Sequence, residues 1–231
     1  MAEIMSTLVC FALKEEAAPF RKLAARKAGV DILIVGIGRE NAARAIRKHL
    51  EAHSPTRIFT CGFAGGLNPD LKLGDVVFET CSSSRRHESA QIKTKDQSAP
   101  TDSSGYEKLA ATGAQTAKFF CADRIATTVA EKKQLREQTG ADVVEMESAA
   151  IHAVCAEKNI PCVTVRVISD AAHENLPLDF NALAKADKSL DFGKLFLAIA
   201  KSPGKIGALM ALQKKTKFAA ERLAEVLGQL I

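Results

Sequence analysis

The amino-acid sequence predicts an α/β fold in which helices cover both faces of a parallel or mixed β-sheet. Short apolar runs rich in β-branched residues alternate along the chain with stretches of helix-forming composition, which is the pattern of α/β proteins. The 231 residues are 47% hydrophobic and 26% charged, values that are ordinary for globular proteins. A chain of this length can bury one substantial core, so we expect a single domain over residues 1–231.

Seven apolar runs are predicted to be buried strands. They are rich in β-branched and aromatic residues, and each is too short to be a typical helix. The predicted strands are Thr7–Ala12, Ile32–Gly36, Arg57–Cys61, Val76–Thr80, Lys118–Ala122, Asp142–Met146 and Pro161–Ser169.

Stretches of helix-forming composition lie between and after these runs. Gly29 and Gly140 follow two of them, where a glycine commonly ends a helix. The predicted helices are Lys14–Lys27, Asn41–His53, Val129–Gln138, Ser148–Lys158, Leu183–Lys201 and Lys205–Leu230. The polar segment Ser82–Ser104 matches neither pattern, so we expect it to be a long exposed loop.

The charge distribution and the start of the chain exclude several classes of protein. The net charge is +5, but basic residues are spread along the chain except for Lys214, Lys215 and Lys217, so nucleic-acid binding is not expected. The chain begins without a signal-peptide pattern and contains no apolar run long enough to span a bilayer, which indicates a cytoplasmic protein. Six cysteines form no C-x-x-C pair, which favours reduced thiols over metal ligands or disulfides.

Two glycine-rich segments follow predicted strands, at the sheet edge where α/β proteins bind ligands. In the first, Gly36 and Gly38 lead into a helix. Backbone N–H groups there can approach an anion or a polar ligand atom, although a simple turn would also use these residues. The second segment, Cys61–Pro69, has three glycines within five residues, which indicates main chain packed closely against another strand or a ligand.

Charged side chains stand within or at the ends of two further apolar runs. Glu145 and Glu147 flank Met146, where a carboxylate can accept hydrogen bonds from two neighbouring ribose hydroxyls or complement the helix dipole. Arg166 lies inside an apolar strand, and a buried arginine requires a partner, which predicts a carboxylate nearby. Asp170, at the exit of that strand, is either a functional group or the cap of a turn.

Taken in this order and spacing, the segments resemble the purine nucleoside phosphorylase and nucleosidase superfamily. The similarity is closest to the 5′-methylthioadenosine/S-adenosylhomocysteine nucleosidases, whose motifs include A-M-E-E-E, V-E-M-E-A-A and V-R-x-I-S-D. The segments that carry the resemblance are Ala12–Glu16, Gly36–Gly38, Ala64–Leu67 with Gly74-Asp75, Val144–Ala150 and Val165–Asp170.

The resemblance implies a three-layer α/β/α sandwich around a mixed, partly closed sheet, and an enzyme of purine nucleosides that needs no cofactor and no metal. By position, Asp170 would protonate or hydrogen-bond purine N7, Glu147 would hold the ribose hydroxyls, and Glu16 would orient or deprotonate the attacking water. Arg166 would support these groups. The other positions expected to contact substrate are Met146, Ser169, Phe63, Ala64, Gly65, Ile125 and Gly38.

The residue types suit hydrolysis of an N-glycosidic bond. Cleavage passes through a sugar that resembles an oxocarbenium ion, which nearby carboxylates stabilise. An acid that protonates the purine makes it a better leaving group. We expect burial beside the apolar segment Val163–Ile168 to favour the protonated form of Asp170.

Departures from the family's pattern affect the predicted substrate. Phe63 stands where the nucleosidases have a serine, and Arg124-Ile125-Ala126 lies where an aromatic residue normally faces the base. No clear counterpart of the family's Tyr-His-Asp segment occurs within Ser82–Ser104. Leu176–Asp179 and the helical C-terminus are similar to phosphorylase-like proteins associated with hopanoid pathways. The expected substrate is therefore a 5′-substituted adenosine, of the methylthioadenosine type or larger.

Two alternatives to hydrolysis follow from the same residues. In phosphorolysis, phosphate replaces water and requires cations around its oxygens. Many phosphorylases place an arginine where this chain has Thr60, which leaves Arg39, Arg85 and Arg86 as candidates. The second alternative is a nucleoside-binding protein without catalysis. Members of the superfamily commonly form dimers or hexamers, so we expect a homodimer or a larger homo-oligomer.

Overall fold

The computed structural model describes residues 6–79, 103–183, 185 and 203–231. The strands are β1 (Thr7–Phe11), β2 (Val30–Ile34), β3 (Arg57–Gly66), β4 (Val76–Phe78), β5 (Gln115–Thr116), β6 (Phe119–Cys121), β7 (Val143–Glu145) and β8 (Cys162–Asp170). The helices are α1 (Lys14–Ala24), α2 (Arg39–Leu50), α3 (Ser103–Ala111), α4 (Val129–Thr139), α5 (Ser148–Glu157), α6 (Phe180–Leu183) and α7 (Ile206–Leu230).

The eight strands form one mixed sheet, as predicted. Its main path is β2-β1-β3-β8-β4-β5. Strands β2, β1, β3 and β8 are parallel, and β4 is antiparallel to β8. At its end β3 pairs with antiparallel β7, opposite Gly65 and Gly66, and β6 pairs with β7. The long strand β3 therefore joins the main sheet to the smaller β6–β7 part.

Helices cover both faces of the sheet. Successive side chains of β1 point to opposite faces and therefore pack in two different cores. Val9 and Phe11 pack in a core with residues of α1 and α7. Leu8 and Cys10 pack in a second core with residues of α2 and α5. The predicted three-layer α/β/α arrangement is therefore confirmed.

The glycine-rich segment after Cys61 is a continuation of strand β3, which was predicted to end at Cys61. The strand ends at Gly66 instead of Cys61. The prediction of close packing was correct, because a Cβ added to Gly65 would lie 3.2 Å from a methyl group of Val144. The missing side chains thus let β7 and the end of β8 approach β3.

Other differences concern short elements and boundaries. Helix α1 ends at Ala24, before Gly29, whereas Gly140 caps α4 in the left-handed conformation as predicted. The sequence did not predict α3 and β5. The predicted helix Leu183–Lys201 and loop Ser82–Ser104 lie almost entirely outside the described residues.

The C-terminal helix α7 is amphipathic and packs its apolar face against α1 and the sheet. Its buried residues are Ala219, Ala220, Leu223, Ala224, Val226, Leu227 and Leu230. Among the described helices, none combines the length and the apolarity that crossing a bilayer would require. The five cysteines in the described part form no disulfide with one another.

Candidate active site

The carboxyl ends of the parallel strands gather the polar groups at one edge of the sheet. Glu16 follows β1 in the first turn of α1, and Gly38 follows β2 and precedes α2. Asp170 ends β8 beside Gly65. Because β7 runs antiparallel to β3, the chain after Val144 runs back along β3 toward Gly62. Gly62 pairs with Arg166 of β8 in the sheet. Glu145 and Glu147 are thereby carried to the same place.

Glu16 is buried and held by main-chain donors. Its Oε1 accepts a hydrogen bond from the N–H of Phe63 at 2.9 Å, and its Oε2 accepts one from Leu13 at 2.9 Å. Burial raises the pKa of Glu16, although these hydrogen bonds and Arg166 oppose the shift. A Cβ at Gly62 would lie 2.9 Å from Glu16 Oε1, so the absence of a side chain there makes room for the carboxylate.

Arg166 is fully buried and has the carboxylate partner that the sequence predicted. Its Nη2 donates to Glu145 Oε2 at 2.7 Å and lies 3.9 Å from Glu147 Oε2. The guanidinium also donates to the carbonyl and hydroxyl oxygens of Thr60. Its Nε is buried and has no hydrogen-bond partner among the described residues. The sequence did not identify Glu145 as the partner of Arg166.

Glu145 anchors this arginine and the start of α5. Its Oε2 accepts hydrogen bonds from the N–H groups of Glu147 and Ser148, and its Oε1 accepts one from the Ser148 hydroxyl at 2.6 Å. Burial alone would raise the pKa of Glu145, but Arg166 and these donors outweigh burial and lower it. Glu145 is therefore an ionised structural partner.

Glu147 lies between the first glycine loop and the arginine. Its Oε1 accepts a hydrogen bond from the N–H of Gly38 at 2.8 Å. Burial, and secondly the charge of Glu145, raise the pKa of Glu147 well above its ordinary value. Glu16 and Arg166 also act electrostatically on Glu147, so the structure brings these three predicted residues into one cluster.

Asp170 lies at the far end of β8, after a bulge. Ala64 pairs with Ile168 and Gly65 with Asp170, which leaves Ser169 as the extra residue. The Ser169 hydroxyl donates to Asp170 Oδ1 at 2.7 Å. The surroundings of Asp170 are not the apolar ones we expected, because the ammonium of Lys132 donates to its Oδ2 at 2.5 Å.

The remaining predicted positions have varied surroundings. The main chain of Phe63 contacts Glu16, but its side chain packs against the core formed with α1 and α7. Met146 is buried. The carbonyl of Ala64 lies 3.4 Å from the hydroxyl of Ser169.

The main chain of Ile125 is paired with a side chain that the sequence analysis did not single out. Its N–H donates to Asn181 Oδ1 at 2.9 Å, and its carbonyl accepts from Asn181 Nδ2 at 2.9 Å. Ile125 is therefore fixed to the start of α6.

Among the residues considered for binding phosphate, Thr60 and Arg39 already have partners within the protein. Thr60 accepts hydrogen bonds from Arg166, and Arg39 donates to the carbonyl of Cys121 and lies 3.4 Å from Asp123. Arg85 and Arg86 lie outside the described residues. Within the described ranges, no group of three His, Cys, Asp or Glu side chains is arranged to hold a metal ion.

Comparison with known proteins gives relatives in sequence and in fold. The 5′-methylthioadenosine/S-adenosylhomocysteine nucleosidase of Shewanella sediminis is 28% identical over 188 residues, which cover 69% of this chain and 76% of that protein. The solved structure of the Helicobacter pylori 5′-methylthioadenosine/S-adenosylhomocysteine nucleosidase with butyl-thio-DADMe-Immucillin-A has a TM-score of 0.72 at 18% identity, covering 99% and 98% of the two chains.

A second solved structure, the futalosine hydrolase of Helicobacter pylori strain 26695, has a TM-score of 0.71 at 17% identity and covers 98% of this chain and 97% of its own. At such identities these structures establish the fold. The sequence model of the phosphorylase superfamily matches residues 15–201, far more than half of the chain. The chain therefore belongs to the phosphorylase superfamily.

Proposed function

We propose that this protein hydrolyses the N-glycosidic bond of a 5′-substituted adenosine, of the methylthioadenosine/S-adenosylhomocysteine type, and releases the free purine. The observation that supports the proposal best is the buried cluster of Glu16, Glu147 and Arg166 beside the strand that ends in Asp170. The substrate class is supported by the sequence relative, which is named as a 5′-methylthioadenosine/S-adenosylhomocysteine nucleosidase.

In this proposal each of the three carboxyl groups has its own role in the reaction. Glu16 orients the attacking water and takes its proton, since a carboxylate whose pKa is raised by burial is a stronger base when ionised. Glu147 accepts hydrogen bonds from the ribose hydroxyls. In their ionised forms both groups stabilise the positive charge that develops on the sugar. Asp170 interacts with purine N7 as the bond to the sugar breaks.

The charges of the cluster favour water over phosphate as the nucleophile. The cation of Arg166 is already matched by Glu145. Glu16 and Glu147 add no positive charge that could balance a phosphate dianion placed beside them. Thr60, where many phosphorylases carry an arginine, contributes no positive charge.

A substrate screen tests the proposal. Adenosine, inosine, methylthioadenosine, S-adenosylhomocysteine and futalosine are each incubated with the protein in phosphate-free and in phosphate-containing buffer, and the free base and the sugar product are measured. We expect the free base and an unphosphorylated sugar from the 5′-substituted adenosines in both buffers.

The other outcomes have distinct meanings. A sugar 1-phosphate that forms only with phosphate present would establish phosphorolysis in place of hydrolysis. Binding of a nucleoside without release of base would identify a non-catalytic binding protein. Either result would overturn the proposed hydrolytic activity.

A further inference from the structure

Asn181, in the short helix α6, holds the main chain of a residue that lies 56 positions earlier in the sequence. Its Oδ1 accepts a hydrogen bond from the N–H of Ile125 at 2.9 Å, and its Nδ2 donates to the carbonyl of Ile125 at 2.9 Å. A side-chain amide carries both an acceptor and donors, so it can engage both main-chain groups of one residue. The two hydrogen bonds together fix the position and the direction of the main chain at Ile125.

Neighbouring residues hold Asn181 itself in place. Asp179 Oδ1 accepts hydrogen bonds from the N–H groups of Asn181 at 3.0 Å and Ala182 at 3.3 Å, as a residue before a helix commonly does. Leu178 and Leu183, on either side of this turn, are buried. Asn181 is thus presented to its partner by an anchored turn.

The segment that contains Ile125 lies against β7, the strand that leads to Glu147. The N–H of Ala122 donates to the carbonyl of the last residue of β7 at 2.7 Å. Ala122 and Ala126 then pack in one apolar cluster with Val144 of β7. The chain between these two alanines therefore lies beside the carboxyl group that the proposed function assigns to the ribose.

The same segment borders the chain at the end of β8. A Cβ added to Gly65 would lie 3.2 Å from a methyl group of Val144 and 3.4 Å from Asp170 Oδ2, so β7 and the end of β8 approach each other at this glycine. In the loop after β8, the N–H of Leu176 donates to the carbonyl of Thr127 at 2.8 Å. The segment therefore lies next to both β7 and the end of β8, where the proposed function places the purine base.

We propose that Asn181 is a positioning residue that holds Ile125 against the purine base, so that Asn181 determines the affinity for the base and not the rate at which the bond to the sugar breaks. The proposal rests on the proposed function, which places a purine at this edge of the sheet. Asn181 engages both main-chain groups of Ile125, so the half-buried side chain of Ile125 supplies the contact with the base. A segment that is already ordered loses less conformational entropy when a ligand binds, which raises the affinity.

The affinity for adenine tests the proposal, because adenine is the base without the sugar. Isothermal titration calorimetry gives the Kd for adenine, and steady-state kinetics with methylthioadenosine give kcat and KM. In Asn181→Ala, which removes both hydrogen bonds to Ile125, we expect Kd and KM to rise about tenfold while kcat stays within about twofold of the wild type.

A second variant of nearly the same size as the wild type checks the geometry. Asn181→Asp keeps an acceptor for the N–H of Ile125, but its other carboxylate oxygen faces the carbonyl of Ile125 and cannot donate to it. We expect the Kd for adenine to rise at least as much as in Asn181→Ala.

Asn175→Ala is the matched control. Asn175 also lies in the chain after β8, and its Oδ1 accepts a hydrogen bond from the N–H of Val129 at 2.7 Å, at the start of α4. The variant removes a contact of the same kind between the same two parts of the chain, but away from Ile125. Its Tm should fall, while the Kd for adenine and the KM stay at the wild-type values.

The outcomes separate this role from a structural one and from the proposed function. Unchanged Kd and KM in Asn181→Ala, a fall in kcat alone, or equal increases of Kd in Asn181→Ala and Asn175→Ala would overturn the proposal, while release of base by the wild type would still support hydrolysis. If the wild type binds adenine but releases no base, the proposed function fails, and the adenine affinities still decide the role of Asn181. If the wild type binds neither adenine nor methylthioadenosine, both proposals fail.

Discussion

Two buried carboxyl groups, those of Glu147 and Glu16, are kept in the protein at a cost in stability. Burial raises the pKa of both. The native state therefore retains protons at pH values where the unfolded chain, with an ordinary glutamate pKa of 4.5, has released them. Unfolding then releases protons, so the free energy of unfolding falls as pH rises above about 4.5 toward the pKa values of the folded state.

Replacing Glu147 with Gln should therefore stabilise the protein in a pH-dependent way. The substitution leaves the main ion pair of the cluster intact, because Arg166 keeps Glu145 as its partner. We expect the Tm of Glu147→Gln to exceed that of the wild type by more at about pH 8 than at about pH 5, since the neutral amide avoids the burial of a charge. Thermal unfolding across this range, followed by circular dichroism, measures the difference.

Glu157→Gln is the control for this measurement. Glu157 is exposed, and its ion pair with Arg47 lowers its pKa, so the variant should show no Tm gain that grows with pH. Equal Tm differences for Glu147→Gln at both pH values would contradict the inferred proton on Glu147. Loss of activity in Glu147→Gln, despite higher stability, is expected from its proposed contact with the ribose.

The site residues differ in how well their burial and partners can be predicted from the sequence. Arg166 is conspicuous because a charge inside an apolar strand needs a partner, and that partner is present. Lys132 is not conspicuous, because it lies in a polar stretch of α4 where a lysine is ordinary. Its burial arises from the placement of α4 against the end of β8, which depends on contacts between distant parts of the chain.

The continuation of β3 through its glycines sets the position of Glu16. Gly62 has φ +152°, and a Cβ there would lie 2.9 Å from Oε1 and 3.1 Å from Cδ of Glu16. The flexible side chain can move, so we expect Gly62→Ala to displace the carboxylate and lower kcat/KM about 10- to 100-fold, with a smaller effect on stability. Steady-state kinetics together with Tm test this expectation.

Gly113→Ala controls for backbone strain in that experiment. Gly113 has φ +83°, and a Cβ there would meet nothing within 4 Å. The variant should lose some stability, about 1 kcal/mol, while its kinetics stay at the wild-type level. If Gly62→Ala retained full activity, the packing of this glycine against Glu16 would have no role in the reaction.

Long elements with a clear pattern could be predicted, whereas short ones could not. Strand β8 is a long apolar run and helix α7 a long amphipathic stretch, and their predicted bounds differ from the observed ones by no more than one residue. Strand β5 has only two residues, Gln115 and Thr116, and both are exposed, so no apolar pattern marks it. The extension of β3 beyond Cys61 was not predicted, because its glycines carry no apolar side chains that would mark a strand.

For the whole molecule, α7 completes the core on one face of the sheet. Leu223 is 0% exposed and packs among residues of α1, β1 and β8. We expect Leu223→Ala to lower the free energy of unfolding by about 2–5 kcal/mol through lost burial and the cavity that remains. Urea unfolding measures this loss, and a change below about 1 kcal/mol would contradict the packing.

Met210→Ala, in the same helix, is the control. Met210 is 56% exposed, so its truncation should change the free energy of unfolding by no more than about 0.5 kcal/mol. A similar loss in both variants would contradict core packing as the cause of the Leu223 effect, because alanine has a higher helix propensity than leucine or methionine.

The layered architecture could be predicted, but the order of the strands could not. Alternating apolar and helical stretches predict helices on both faces of a sheet. The insertion of β8 between β3 and β4, and the pairing of β7 with the end of β3, join segments far apart in sequence. These long-range pairings bring Glu16, Glu147 and Arg166 together, so the site itself was predicted through resemblance.

The most direct test of hydrolysis by this cluster is the rate at which free adenine is released from methylthioadenosine in phosphate-free buffer. It compares the wild type with Glu16→Gln and with Glu15→Gln, the same change at an exposed neighbour. We predict equal rates for the wild type and Glu15→Gln, and a kcat about 10²–10⁴-fold lower for Glu16→Gln. Unchanged turnover in Glu16→Gln, or no adenine from the wild type, would contradict the proposed activity.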